Sequence, residues 1–177
     1  MLMISLSDIP KPGQHAHGRR LLRECLKPFG VPEDAAMEKG SYGKPFLRDH
    51  PELHFNISHG DGIAACIVTD RECGIDCEPC REYRERVARR CFSPKEQQMI
   101  DEAAPEERDL LFTRLWTLKE AFVKCIGQGI SYPMNKAEFA FDGERIISAP
   151  EGYSFAHYII RNGKYVVSVC VKEMQEQ

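Results

Sequence analysis

Three residues on one helix and two on one strand have the types and spacing to do chemistry. Trp116, Glu120 and Lys124 fall four apart within Leu110 to Gly129, LLFTRLWTLKEAFVKCIGQG, so at about 3.6 residues per turn they form one line along a helix. Leu111, Leu115, Leu118, Phe122 and Ile126 recur at three- and four-residue steps on another face, a stripe made for a core. An aromatic, an acid and a base are thereby held away from that core. Taken alone, the line is a solvated face with an i, i+4 Glu–Lys pair; a partner elsewhere in the chain would change its meaning. The stretch Gly74-Ile75-Asp76-Cys77-Glu78-Pro79 offers one. On a strand, Asp76 and Glu78 share a face about 7 Å apart, and two carboxylates so placed can bind a hard divalent cation.

Lone cations, a serine and a histidine extend the set. Ser58 and His59 follow the alternating stretch Leu53 to Ile57 and open Ser58-His59-Gly60-Asp61-Gly62, turn chemistry at a strand end. A lone histidine there is otherwise structural or merely exposed. Lys44 lies in Ser41 to Phe46, SYGKPF, a glycine and proline turn that fixes it as a point charge for phosphate. Gly18 to Gly30 reads as a short helix with Leu21, Leu22, Cys25 and Leu26 inward. Between Lys11 and Lys27 it presents Lys11, Arg19, Arg20, Arg23 and Lys27 against Glu24 alone, a face that suits an anion or simply solubilises the helix. Cys73, Cys77, Cys80 and Cys91 contain one C-x2-C pair and no second, so the eight cysteines read as reduced packing thiols rather than a zinc site.

The elements that must position these groups fit one compact unit. At 177 residues the chain can bury one substantial core or two small ones. Its 42% hydrophobic and 29% charged content argues for folding throughout. A formal charge of −3 gives no general positive coat for nucleic acid or membrane, so an anionic ligand must meet local cations. The sequence opens with no basic segment leading into a long apolar run and nowhere contains about 18 successive apolar residues, which makes cytoplasmic residence the expectation. Ile63 to Thr69 is a second strand, and Asp70 to Gly74 a polar break. Arg81 to Arg90 reads as a charged helix. Ser93-Pro94-Lys95-Glu96 starts another, with a capping serine, a first-turn proline and a glutamate three residues after the cap. That capping role accounts for Glu96. From Tyr132 onward KAEFAF, RIISA, YSFAHYII and KYVVSVCV, separated by turns, read as an antiparallel sheet covering the long helix, which makes the chain α+β.

FNISH at Phe55 to His59, GIDCE at Gly74 to Glu78, CFSPKE at Cys91 to Glu96 and LWTLKEAFVKCIGQGIS at Leu115 to Ser131 resemble, in order and spacing, the motifs of Sfp-type 4'-phosphopantetheinyl transferases. SYGKP at Ser41 to Pro45 looks like the lysine turn those enzymes carry upstream. The resemblance runs from about Arg19 to Ser131. It implies transfer of the 4'-phosphopantetheine arm of coenzyme A to a serine of an acyl or peptidyl carrier protein, leaving adenosine 3',5'-bisphosphate. It also implies a pseudo-dimer of two similar α+β subdomains, residues 1–73 with coenzyme A contacts and 74–177 with the metal site, and a cleft between them. Asp76, Glu78 and Glu120 would bind Mg2+, with Glu120 also the general base and Lys124 the cation for phosphate charge in the transition state. Lys44, Ser58 and His59 match positions that contact coenzyme A phosphates, and Arg19 or Arg20 falls near another.

The sequence departs from the family at Cys77, where an aliphatic residue is usual; alternation turns this side chain away from the metal face. The N-terminal segment is short, so cations that longer members place there are either absent or replaced by Lys11 or Arg19. The arginines of Arg81 to Lys95 could steer an acidic carrier. A pseudo-dimer has its own cleft, so a monomer is expected. Fatty-acid, polyketide and nonribosomal peptide synthases all present suitable carriers, and the sequence does not choose among them. The rival readings are a Mg2+-dependent phosphohydrolase or nuclease using the same carboxylates, and a zinc-binding interaction module.

Overall fold

The computed structural model describes residues 1–7 and 11–174; the side chains of Lys11, Pro12 and Ile130 lie outside the described set, so nothing further follows for Lys11. The first strand, β1 (Leu2–Leu6), leads to helix α1 (Lys11–Leu26), which starts earlier than the leucine pattern alone suggests because a proline is tolerated in a helix's first turn. A small hairpin, β2 (Met37–Lys39) and β3 (Pro45–Leu47), carries the SYGKP turn. Then come β4 (His54–Gly60) and β5 (Ile63–Thr69). Ser58 and His59 are therefore strand residues and not turn residues. Pairing continues to Gly60 opposite Ile63, and Asp61 and Gly62, the latter at φ 76°, make the whole turn. These strands form one antiparallel sheet in the order β1-β5-β4.

The rest of the chain repeats this plan with additions. Strand β6 (Cys73–Pro79) is followed by α2 (Glu85–Cys91), α3 (Pro94–Glu102) and the long α4 (Arg108–Ile126). The hairpin β7 (Ala140–Asp142) and β8 (Arg145–Ser148) precedes β9 (Tyr153–Ile160) and β10 (Tyr165–Lys172). The second sheet runs β6-β10-β9, again antiparallel and again with its last strand in the middle. The C-terminal strands thus form a separate hairpin plus two strands that complete a sheet with β6, where the sequence suggested a single sheet. The charged stretch from Arg81 is helical only from Glu85, because Tyr83 N–H is taken by Asp109 Oδ1 (2.8 Å) and Arg81 N–H by Thr113 Oγ1 (2.9 Å).

Alternation sorts the side chains into three layers. Leu22, Cys25, Phe55, Cys66 and Val68 fill the space between α1 and the first sheet. Ile63, Ala65, Ile75, Cys77, Val167 and Val169 fill the space between the two sheets. Leu115, Leu118, Phe122, Phe139 and Cys170 pack α4 onto the far face. The two sheets also meet through side chains of β4: Asn56 Oδ1 accepts from Ile75 N–H (2.9 Å) and Ser58 Oγ from Cys77 N–H (3.3 Å).

Two features fix α4. Gly74 lies so close beneath it that a Cβ there would stand 2.0 Å from Ala121 O, so only glycine lets the helix backbone rest on β6. Lys119 and Glu96, both fully buried, form an ion pair of 2.7 Å. Lys119 also donates to Met134 O (3.0 Å) and Ala137 O, while Glu96 keeps its capping bond from Ser93 N–H (2.7 Å) and accepts from Phe139 N–H (2.9 Å). Burial lowers the Lys119 pKa, and the Glu96 charge opposes that shift. Glu96 therefore does more than cap. All eight cysteines are free thiols, as the sequence suggested.

Candidate active site

Strand β6 and helix α4 bring the two sequence signals together. Trp116, Glu120 and Lys124 are the half-buried residues along the middle of an otherwise buried helix. They face a cleft of about 340 Å³ whose other walls are Ile57, Ser58, His59, Asp76 and Glu78. Lys124 does not pair with Glu120 along its own helix. Its ammonium bonds Asp76 Oδ1 at 2.6 Å, with Ser58 Oγ and Ile75 O each at 3.2 Å. Asp76, 4% exposed, accepts a second bond on the same oxygen from Ser58 Oγ (2.8 Å). Its other oxygen, Oδ2, is buried with no partner.

The electrostatics are those of crowded acids. Burial, then the neighbouring Asp76 charge, pushes the pKa of both Glu78 and Glu120 above the ordinary glutamate value. Burial disfavours the charged Lys124, yet Asp76 and Glu120 hold its pKa above the usual lysine value. Glu78 Oε2 receives Arg81 Nε (3.1 Å) and Nη2 (2.5 Å). Three carboxylates are thus met by two side-chain cations. Among the described residues no three acid, histidine or cysteine side chains already converge as a ready metal cage, because Asp76 is turned to Lys124 and Glu78 to Arg81. The donor set nonetheless fits a hard cation: oxygen donors only, a net negative balance, and a buried Asp76 oxygen with no partner.

The remaining sequence candidates fall in different places. Ser58 is buried in the cleft, and His59 is exposed at its edge, its ring edge-on to His15 at 6.2 Å. Arg19 is exposed on α1; beside it Arg20 Nη2 bonds His17 Nδ1 (2.9 Å), whose Nε2 reaches Ser5 Oγ (3.0 Å). Lys44 does not enter the cleft. Its ammonium donates to Cys73 O (2.9 Å) and Cys125 O (2.8 Å), tying the SYGKP turn to the start of β6 and the last turn of α4, beside a cavity of about 200 Å³ lined by Phe46, His54 and Ile126. A larger cavity, about 690 Å³, lies elsewhere, between α3, the start of α4 and the β7–β8 hairpin; its three glutamates, Glu102, Glu107 and Glu144, are all exposed and share it with Lys95 and Arg114. Sequence reading missed two residues. Arg81, three positions after Glu78, was counted among surface cations. Lys119 stands four after Leu115 and three before Phe122, on the apolar stripe itself, a spacing that marks a buried lysine.

Comparison with known proteins agrees with this arrangement. Residues 72–170 match the family model of the 4'-phosphopantetheinyl transferase superfamily. The chain is 33% identical over 159 residues to a 4'-phosphopantetheinyl transferase of Bacillus subtilis, covering 86% of this chain and 71% of the relative. It is 32% identical over 142 residues to the 4'-phosphopantetheinyl transferase Sfp of Bacillus subtilis strain 168 (77% and 63%) and 38% identical over 122 residues to HetI of Nostoc (64% and 52%). It therefore spans from about half to about seven-tenths of these relatives' own lengths. On a match that includes β6, α4 and the cleft between them, and on identity across most of its length, the chain belongs to the 4'-phosphopantetheinyl transferase superfamily.

Proposed function

We propose that this protein transfers the 4'-phosphopantetheine arm of coenzyme A to a serine of an acyl or peptidyl carrier protein, in a Mg2+-dependent reaction that releases adenosine 3',5'-bisphosphate. The observation that carries the reading is the unpartnered Asp76 Oδ2, buried in a cleft it shares with Glu78, Glu120 and Lys124. Asp76, Glu78 and Glu120 would hold Mg2+. Bound there, the ion would neutralise pyrophosphate oxygens and leave room for water. The residues of the chain do the rest. Ser58 and Lys124 orient Asp76 through its other oxygen. Glu120, beside both the proposed metal and the attacking hydroxyl, accepts the proton of the carrier serine as its oxygen attacks the β-phosphorus. The P–O bond to the adenosine bisphosphate breaks, and Lys124 meets the negative charge that develops.

His59 at the cleft edge and Arg19 on α1 are the proposed contacts for coenzyme A phosphates, with Ser58 between them and the acids. Lys44 belongs to the same set, its ammonium leaving the Cys73 and Cys125 carbonyls for the ligand. We read the repeated topology as a pseudo-dimer, with residues 1–73 and 74–177 as the two subdomains. The proposed state is a monomer in the cytoplasm with no nucleic-acid or membrane partner; no helix of the described residues is long and apolar enough to cross a membrane. Incubation with coenzyme A, Mg2+ and apo carrier proteins, followed by intact-mass measurement, tests the reading. The expected result is one phosphopantetheine added per carrier. Cleavage of coenzyme A by water, with every carrier left unmodified, would instead point to a phosphohydrolase.

A further inference from the structure

The segment after β6 is anchored by its backbone. Cys80 N–H donates to Lys164 O (2.8 Å), Arg81 N–H to Thr113 Oγ1 (2.9 Å) and Tyr83 N–H to Asp109 Oδ1 (2.8 Å). Thr113 is itself fixed by its bond to Asp109 O (2.7 Å) on α4. Arg81 is thus positioned by its main chain, whatever its side chain does. From there the side chain folds back three residues and sets Nε and Nη2 on a single oxygen, Glu78 Oε2. The guanidinium side is 41% exposed and the carboxylate side 15%, so the cation stands at the mouth and the acid inside. It can leave Glu78 by rotating its own bonds, with β6 and α4 unmoved.

Charge balance says which cation should leave. Asp76, Glu78 and Glu120 carry three negative charges, and Lys124 and Arg81 two positive ones. A divalent ion among the carboxylates would raise the positive count to four. Lys124 is held deep, by Asp76, Ser58 and Ile75 O together. Arg81 is the better hydrated of the two, so its release costs less. We propose that Arg81 is a displaceable counterion of Glu78: it holds that carboxylate while the cleft is metal-free, competes with the divalent cation for it, and swings to the mouth when the cation binds. There its planar five-donor head meets incoming phosphate or carboxylate groups. This rests on the metal site of the proposed function and adds a residue that the site's own acids do not reveal.

Arg81→Gln keeps a hydrogen-bonding side chain of similar reach and removes the charge. Mn2+, an oxygen-seeking probe, is titrated into wild type and R81Q without coenzyme A or carrier, and free Mn2+ is followed by electron paramagnetic resonance. R81Q is expected to bind Mn2+ about two- to fivefold more tightly, the range a partly exposed ion pair is worth. In a Glu78→Gln background, itself a weaker binder, Arg81→Gln should add nothing, which separates exchange at Glu78 from a general change of field. Thermal melts confirm that each variant is folded. Equal Mn2+ affinity in wild type and R81Q, or tightening that persists without Glu78, would overturn the role of Arg81 and leave the metal site standing. Absence of Mn2+ binding in both would overturn the metal site, and the exchange with it.

Discussion

The two sheets carry their long helices in the same way, and residue by residue they part company where the chemistry lies. With Cys25 of α1 aligned to Cys125 of α4, the buried positions coincide: Gln14 with Arg114, His17 with Thr117, Leu21 with Ala121 and Leu22 with Phe122. Each cysteine lies in the same core cluster as a cysteine of its central strand, Cys66 or Cys170. Opposite those strand cysteines, however, β1 has Met3 and β6 has Gly74. Next along the strand face, Ser5 in the first half answers Asp76 in the second. The difference is one of approach. Met3 packs into the core beneath α1, and that helix rests mainly on β4 and β5. Gly74 has no side chain, α4 lies directly along β6, and so Lys124 reaches Asp76 and Glu120 enters the cleft. One plan serves as a cover in the first half and as the wall of an acidic cleft in the second.

Four sets of substitutions would break or sharpen that comparison. The largest effect falls on Lys119, whose counterpart in α1 is the exposed Arg19. Lys119→Ala leaves Glu96 buried and uncompensated and should cost about 3–5 kcal/mol in denaturant unfolding, whereas Arg19→Ala should stay within about 0.5 kcal/mol and raise only the KM for coenzyme A. Next come the acids: Asp76→Ala and Glu120→Gln should each lower carrier modification on the order of 10²–10³-fold, while Ser5→Ala leaves it intact. Glu120→Gln should also raise the melting temperature of the metal-free protein. Its folded pKa is raised, so ionised Glu120 opposes folding above its ordinary value, and the neutral amide removes that penalty. A lower melting temperature would contradict this sign. Gly74→Ala should cost at least about 1–3 kcal/mol and reduce kcat on folded protein as well, because it lifts the helix bearing Glu120; Met3→Ala should reduce stability with kcat unchanged. The smallest effect concerns α2 and α3, which the first half lacks. Reversing the exposed Arg86 and Arg89 to Glu should weaken carrier affinity and flatten its salt dependence, and unaltered affinity would remove these arginines from the docking surface.

Much of the second half was legible in the sequence, because its signals are local. The capping box at Ser93 and Glu96, the glycine at the end of α4 and the four-residue line of Trp116, Glu120 and Lys124 each depend on neighbours within a turn or two. So does the alternation that puts Asp76 and Glu78 on one face. The line's meaning was not local. From the helix alone a Glu–Lys pair is the ordinary reading, and the true partner of Lys124 is 48 residues away on β6. The same limit hid the shared plan of the two halves: Ser5 and Asp76, or Met3 and Gly74, have no chemistry in common, and only strand register aligns them. The turn marks Lys44 as a fixed point charge, but its carbonyl partners belong to elements distant in sequence.

The bonds from Asn56 and Ser58 to Ile75 and Cys77 have a consequence for how far the halves can be treated as separate molecules. Both β4 and β6 are edge strands of their sheets, and an open edge is a template for pairing with another chain. At this joint the β6 donors are taken up by side chains, so the edges silence each other without merging into one continuous sheet. A fragment cut at the polar break before β6 would bare those donors along an apolar strand. It should therefore self-associate, even though it would contain the acids and the whole of α4.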